Sequence, residues 1–128
     1  MIYLDSSVAL AAVFTEDRQP PATMWDQEFV SSRLLQYEIW THVNARRLQH
    51  LHGDAASALL AKVTLLELSP PVLDRALASF PIAVRTLDAL HLASIEYLRR
   101  RGDSIELASY DTRLLAAAKA LRIPIFQL

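Results

Sequence analysis

Five short apolar runs alternate with segments of helical period, and that alternation restricts the fold more than any other feature of the chain. The runs are Ile2–Leu4, Phe29–Ser31, Leu65–Leu68, Ile105–Ala108 and Ile125–Gln127. Between them, Leu35, Ile39 and Val43 fall at i, i+4 and i+8, which predicts a helix from about Leu34 to His52. Leu87, Leu90, Ser94, Tyr97 and Leu98 predict another from Thr86 to Arg101, with arginines in its last turn and Gly102 just beyond. Gly53-Asp54 is expected to divide the first of these from a shorter helix at about Ala55–Val63, and Pro70-Pro71 to open one at Val72–Ser79. Ser7–Phe14 and Thr112–Leu121 complete the helical set. Strands separated by helices pair in parallel, so the chain reads as an α/β protein with a short, mostly parallel five-stranded sheet covered on both faces. At 128 residues it is a single domain, 1–128, large enough for a real core.

In a parallel sheet, residues just past the carboxyl ends of the strands gather at one edge, where ligands bind. Asp5 follows the first run, and Asp111 follows the fourth. Glu38 and Asp88 stand in the first turn or two of their helices, within reach of the same edge. Carboxylates brought together repel unless a cation sits among them, and an all-oxygen site suits Mg²⁺ or Mn²⁺. The four acids therefore read as a metal-dependent phosphodiesterase centre.

Each acid also has a plainer role open to it. Asp5, Ser6 or Ser7 would serve as an N-cap; Ser7 is the expected cap, which frees Asp5 to point outward. Asp111 is equally suited to cap its helix, and Asp88 suits the positive end of the helix dipole. Glu38, between Leu35 and Ile39, is costly to bury unless it is paired. His91, one turn beyond Asp88, is expected to be a half-buried, hydrogen-bonded imidazole beside the site. Ser109 is placed to assist the metal or to hydrogen-bond a carboxylate. Arg46-Arg47 and Arg99-Arg100-Arg101 read first as solvated helix ends, and second as contacts to phosphate.

Composition closes several alternatives. The two glycines, Gly53 and Gly102, are too few for a Walker loop or a dinucleotide fingerprint. The absence of cysteine excludes thiol nucleophiles and zinc–thiolate sites. No apolar run approaches the ~20 residues of a spanning helix, and Asp5 interrupts any signal-like start, so a soluble cytoplasmic protein with no membrane association is expected. The net charge of −1 conceals a balance of 13 basic against 10 acidic residues once the four site acids are set aside. It therefore says nothing for or against RNA. An aspartyl-phosphate mechanism on Asp5 would usually need a second acid two residues later, where Ser7 stands.

Leu4-Asp5-Ser6-Ser7, the helical Glu38, Leu87-Asp88-Ala89-Leu90-His91-Leu92-Ala93 and Ser109-Tyr110-Asp111-Thr112-Arg113-Leu114 occur in an order and spacing that resembles the PIN domain, and within it the VapC-type toxins of type II toxin–antitoxin systems. The resemblance covers essentially the whole chain. It implies a three-layer α/β/α sandwich and an endoribonuclease dependent on Mg²⁺ or Mn²⁺, with Asp5, Glu38, Asp88 and Asp111 as the catalytic and metal-binding quartet and Ser109 as an accessory hydroxyl. It also implies an RNA substrate, a homodimer and a cognate VapB-type antitoxin. A hydrophobic groove for the antitoxin is expected between the first helix and the Glu38 helix, with an antitoxin arginine or lysine reaching the acids. Arg122 stands where such chains often carry the glycine that ends the last helix. An RNA-processing nuclease without an antitoxin, or an inactive binding module on the same fold, are the alternatives.

Overall fold

Ile2, Tyr3 and Leu4 are wholly buried and form β1 (Ile2–Leu4), an interior strand of an all-parallel sheet in the computed structural model, which describes residues 1–128. The other strands are β2 (Phe29–Ser32), β3 (Val63–Leu66) and β4 (Glu106–Ala108), in the order β3-β2-β1-β4. Helices make the crossovers that parallel pairing requires. They are α1 (Ser6–Val13), α2 (Leu34–Ala45), α3 (Gln49–Ala61), α4 (Pro70–Leu77), α5 (Thr86–Arg100) and α6 (Thr112–Ala120), with a 3₁₀ turn at Ala22–Asp26.

Alternate residues of a strand point to opposite faces, and the core divides accordingly. Ile2 and Leu4 join Val8, Leu35, Ile39, Val43 and Ala56, from α1, α2 and α3. Tyr3, Val30 and Leu107 instead join Leu92, Ile95, Leu98 and Leu114, from α5 and α6. Burial on both sides explains why the strands read as continuous apolar runs rather than alternating ones.

The topology also positions the site. The chain moves outward from β1 to β2 and β3, then returns to lay β4 on the other side of β1. Strand order thus reverses between β1 and β4, leaving a crevice at their carboxyl ends. Asp5 follows β1 there, and Ser109 to Asp111 follow β4.

Several expected boundaries move. The sheet has four strands, not five: Ile125 makes only an isolated bridge to Leu107, because Pro124 has no N–H with which to extend the ladder. β3 starts at Val63, opposite Phe29, rather than at Leu65. The long helix breaks at Arg46–Leu48, and Gly53 lies inside α3 facing Trp40. The break is a Schellman closure, with Leu48 N–H bonded to the Val43 carbonyl and Arg47 N–H to that of Asn44. Arg47 takes the left-handed position, φ 54°. The same closure ends α1 at Thr15 (φ 52°) and α6 at Arg122 (φ 58°), as well as α5 at Gly102 (φ 101°). One left-handed cap in four is therefore a glycine, and Arg122 does occupy the position where a glycine is more comfortable.

Candidate active site

Asp5 is 5% exposed and N-caps α1, correcting the expectation that Ser7 would do so. Its Oδ2 accepts from Ser7 N–H (3.3 Å), Ser7 Oγ (2.6 Å) and Ser109 Oγ (2.7 Å). All three donors fall on one oxygen, leaving Oδ1 for the cleft. Ser7 is a tie rather than a cap: its hydroxyl also accepts from Tyr110 N–H at 2.9 Å, joining the end of β1 to the end of β4. Ser109 Oγ likewise accepts from Asp111 N–H at 2.9 Å while donating to Asp5.

Asp111 repeats this division of labour. Oδ1 caps α6 by accepting from Arg113 N–H (2.9 Å) and Leu114 N–H (3.3 Å), and Oδ2 faces Arg85. Capping and a role in the site are compatible because a carboxylate has two oxygens, and each task takes one.

Glu38 resolves its burial cost by pairing. Oε1 accepts from His91 Nε2 at 2.6 Å and Oε2 from Ser6 Oγ at 3.0 Å. His91 is buried outright, not half-buried, and its Nδ1 lies 2.7 Å from the Tyr3 hydroxyl, which accepts from Ser32 N–H at 3.1 Å. Burial pulls the His91 pKa down, but the hydrogen bond to Glu38 and the charges of Glu38, Asp5 and Asp88 outweigh it, so the net displacement is upward. Burial also pushes the Tyr3 phenol well above the usual tyrosine range, keeping it neutral. Nε2 thus presents a hydrogen to Glu38 whether or not the ring is charged. Sequence reasoning saw Tyr3 only as a strand residue. The available signal was a phenol in the middle of a buried strand, whose hydroxyl must find a partner.

Asp88, 7% exposed in the first turn of α5, meets Arg85. Arg85 Nε donates to Asp88 Oδ2 at 2.9 Å, and Nη2 reaches Asp111 Oδ2 at 2.8 Å and Asp88 Oδ1 at 3.5 Å. One guanidinium therefore spans two of the four acids. That residue went unremarked in the sequence, since its link to Asp111 exists only in three dimensions.

Asp5, Glu38, Asp88 and Asp111 all line one cavity of about 330 Å³, together with Ser6, Arg85, Thr86, Leu87 and His91. Ser109 sits behind Asp5 and is buried. No three acidic or imidazole groups converge into a ready-made metal cage. Mg²⁺ does not require one, because it keeps several waters and takes one or two carboxylates. The free Oδ1 of Asp5, the carboxylates of Glu38, Asp88 and Asp111 around the same cavity and the absence of sulfur donors fit such a hard cation, although Arg85 holds the Asp88 and Asp111 oxygens.

The sequence profile of the PIN domain matches residues 2–120. The chain belongs to the PIN domain family. Among its relatives is Ribonuclease VapC46 of Mycobacterium tuberculosis (strain ATCC 25618 / H37Rv), 32% identical over 97% of this chain and 95% of the relative. Ribonuclease VapC47 (strain CDC 1551 / Oshkosh) is 29% identical over 93% and 90%, and Ribonuclease VapC35 of both strains is 27% identical over 98% and 95%. These alignments run nearly end to end, which places the chain with the VapC branch of the PIN domains.

Around the acidic cavity of this PIN domain, the surface departs from expectation in the placing of its apolar groove. The main apolar groove, about 570 Å³, lies between α4 and α5 rather than between α1 and α2, and it shares Arg85 and Thr86 with the acidic cavity. Its walls include Leu73, Leu77, Phe80 and Ile82, and Leu77 is 87% exposed. Trp25 and Trp40, by contrast, pack against the core. The basic helix ends are solvated, as expected, with local partners: Arg101 pairs with Asp103, Arg100 with Glu96, and Arg46 stacks on Phe14. No helix is long and apolar enough to cross a membrane.

Proposed function

We propose that this chain is a metal-dependent endoribonuclease, the VapC-type toxin of a type II toxin–antitoxin pair. The observation that carries the reading is the convergence of four sequence-distant carboxylates on one polar cavity at the strand-order reversal. In this reading Asp5, Glu38, Asp88 and Asp111 hold Mg²⁺ or Mn²⁺, Asp5 and Asp88 most directly. When bound, the cation supplies Lewis-acid polarisation of the scissile phosphate and activation of water near neutral pH. Ser109 and Ser7 fix Asp5 so that Oδ1 faces the cleft. His91, backed by Tyr3, orients Glu38 and supplies a proton-bearing nitrogen beside it. No protein nucleophile is needed, and in-line attack by water leaves a 5′-phosphate on the product.

The same reading takes residues 1–128 as one nuclease domain in three layers, with the two buried clusters on opposite faces of the sheet. It makes the chain a cytoplasmic homodimer inhibited by a VapB-type antitoxin, whose apolar segment docks in a groove beside the acids and whose arginine or lysine reaches the carboxylates. The α4–α5 groove, which opens onto Arg85, supports such a surface.

The test is to incubate purified protein with a labelled RNA in Mg²⁺, in Mn²⁺ and in EDTA. Cleavage in either metal, lost with chelator and leaving 5′-phosphate ends, is expected. Equal cleavage in EDTA contradicts the mechanism.

A further inference from the structure

Arg85 occupies the space between Asp88 and Asp111 that the metal-nuclease reading gives to a cation. A guanidinium and a divalent ion repel, so they compete for the same carboxylate oxygens. The Arg85 side chain is 54% exposed and is not locked in the core. A second cavity, about 410 Å³, is also lined by Arg85 and Asp88, together with Arg113 and the apolar Ile82, Ala83, Val84 and Ala116. Arg113 forms no ion pair, although it is the second residue of α6, two positions after the Asp111 cap.

We propose that Arg85 changes partner when the metal binds. In the metal-free protein it is the counter-cation of Asp88 and Asp111. Displaced from them, it turns to the cavity shared with Arg113, and the two guanidiniums together hold a backbone phosphate of the RNA strand next to the scissile one. Arginine suits both tasks because its planar fork pairs with carboxylate and phosphate alike. The inference rests on the metal-nuclease reading and adds to it a phosphate subsite flanking Asp88.

Two measurements on the full chain separate the inference from that reading. The first is Mn²⁺ titration by calorimetry of wild type, Arg85→Gln and Arg113→Gln. Loss of the competing cation should tighten Mn²⁺ binding severalfold, up to about fivefold for each partly exposed ion pair removed, in Arg85→Gln. Arg113→Gln should leave it unchanged. The second is the affinity of a labelled single-stranded RNA for the Ca²⁺-loaded protein at several salt concentrations. Each substitution should weaken binding and lower the log–log salt slope by roughly 0.7, the share of one phosphate contact. Arg85→Lys, which keeps the charge but loses the fork, should fall between wild type and Arg85→Gln in both assays. Mn²⁺ affinity equal or weaker in Arg85→Gln, or an unchanged salt slope in both variants, overturns the inference while leaving the nuclease reading intact. Failure of wild type and variants alike to bind Mn²⁺ overturns both.

Discussion

The two wings of the acidic cavity are held by different physics. On one side, Glu38, His91, Tyr3 and Ser32 form a chain of hydrogen bonds through the interior, and three of its members, His91, Tyr3 and Ser32, are almost inaccessible to water. On the other, Asp88 and Asp111 are held by Arg85, whose side chain is half in solvent. Buried hydrogen bonds are costly to leave unmade, whereas partly exposed ion pairs contribute little net stability. The first wing is therefore built to fix geometry, and the second to exchange partners. Asp5 lies between them, with one oxygen tied to Ser7 and Ser109 and one left open.

The comparison breaks first at Asp5 and Asp88. Asp5→Asn or Asp88→Asn should lower RNA cleavage by more than the ~10–100-fold typical of groups one shell removed from a metal. Stability should stay level or rise for Asp5→Asn, since a negative charge leaves a crowded acidic site. Cleavage rates alongside denaturant melts measure both, and near-wild-type turnover in either variant would remove that residue from the ligand set. Tyr3→Phe probes the buried wing. It strips the partner of Ser32 N–H and His91 Nδ1, so it should destabilise the fold by roughly 1–3 kcal/mol and reduce activity, where loss of the half-exposed Arg85 should cost less. Equal destabilisation by Tyr3→Phe and Arg85→Gln would erase the distinction between the wings. Ser109→Ala should be milder than Asp5→Asn in activity, because a hydroxyl aims the carboxylate without replacing it. A loss as deep as that of Asp5→Asn would make Ser109 a ligand in its own right.

The smallest effects concern the frame that carries both wings. Thr15 and Arg47 hold left-handed backbone that glycine adopts without strain. Thr15→Gly and Arg47→Gly should each stabilise by about 0.5–1 kcal/mol in urea melts, after allowing for the added flexibility of the unfolded chain. Destabilisation by both would show that these side chains contribute more than their backbone strain costs.

Arg47 also marks where the sequence stopped being legible. Apolar runs and helical stripes revealed a parallel α/β fold because burial on both faces of a sheet leaves a one-dimensional signature. One helix end left no such signature: at Arg47 the closure is imposed by hydrogen bonds to carbonyls within the preceding turn, with no glycine to announce it, whereas α1 and α6 end within a residue of the expected Phe14 and Leu121. Gly53, the obvious breaker, is instead accommodated inside α3 beside Trp40. The extra strand was misread because Ile125–Gln127 has strand-like residues, while the donor missing at Pro124 limits it to a single bridge.

At the site, the four acids were legible from their positions relative to strand and helix ends. Their division into oxygens that cap and oxygens that face the cleft was not, since Asp5 and Asp111 look identical to plain N-caps in one dimension. The supporting groups were less legible still. Tyr3 and His91 are far apart in sequence, as are Arg85 and Asp111, and only the packing of α5 and α6 on one face of the sheet brings them together.

The most direct test of a single cation site among these acids is paramagnetic broadening. Mn²⁺ would be added in small steps to isotopically labelled protein while the backbone amide signals are followed by NMR. The account predicts early, selective loss of signals around Asp5, Glu38, Asp88 and Asp111, with those of α3 retained, and no such pattern in Asp5→Asn. Broadening centred elsewhere, or spread evenly over the acidic surface, would contradict it.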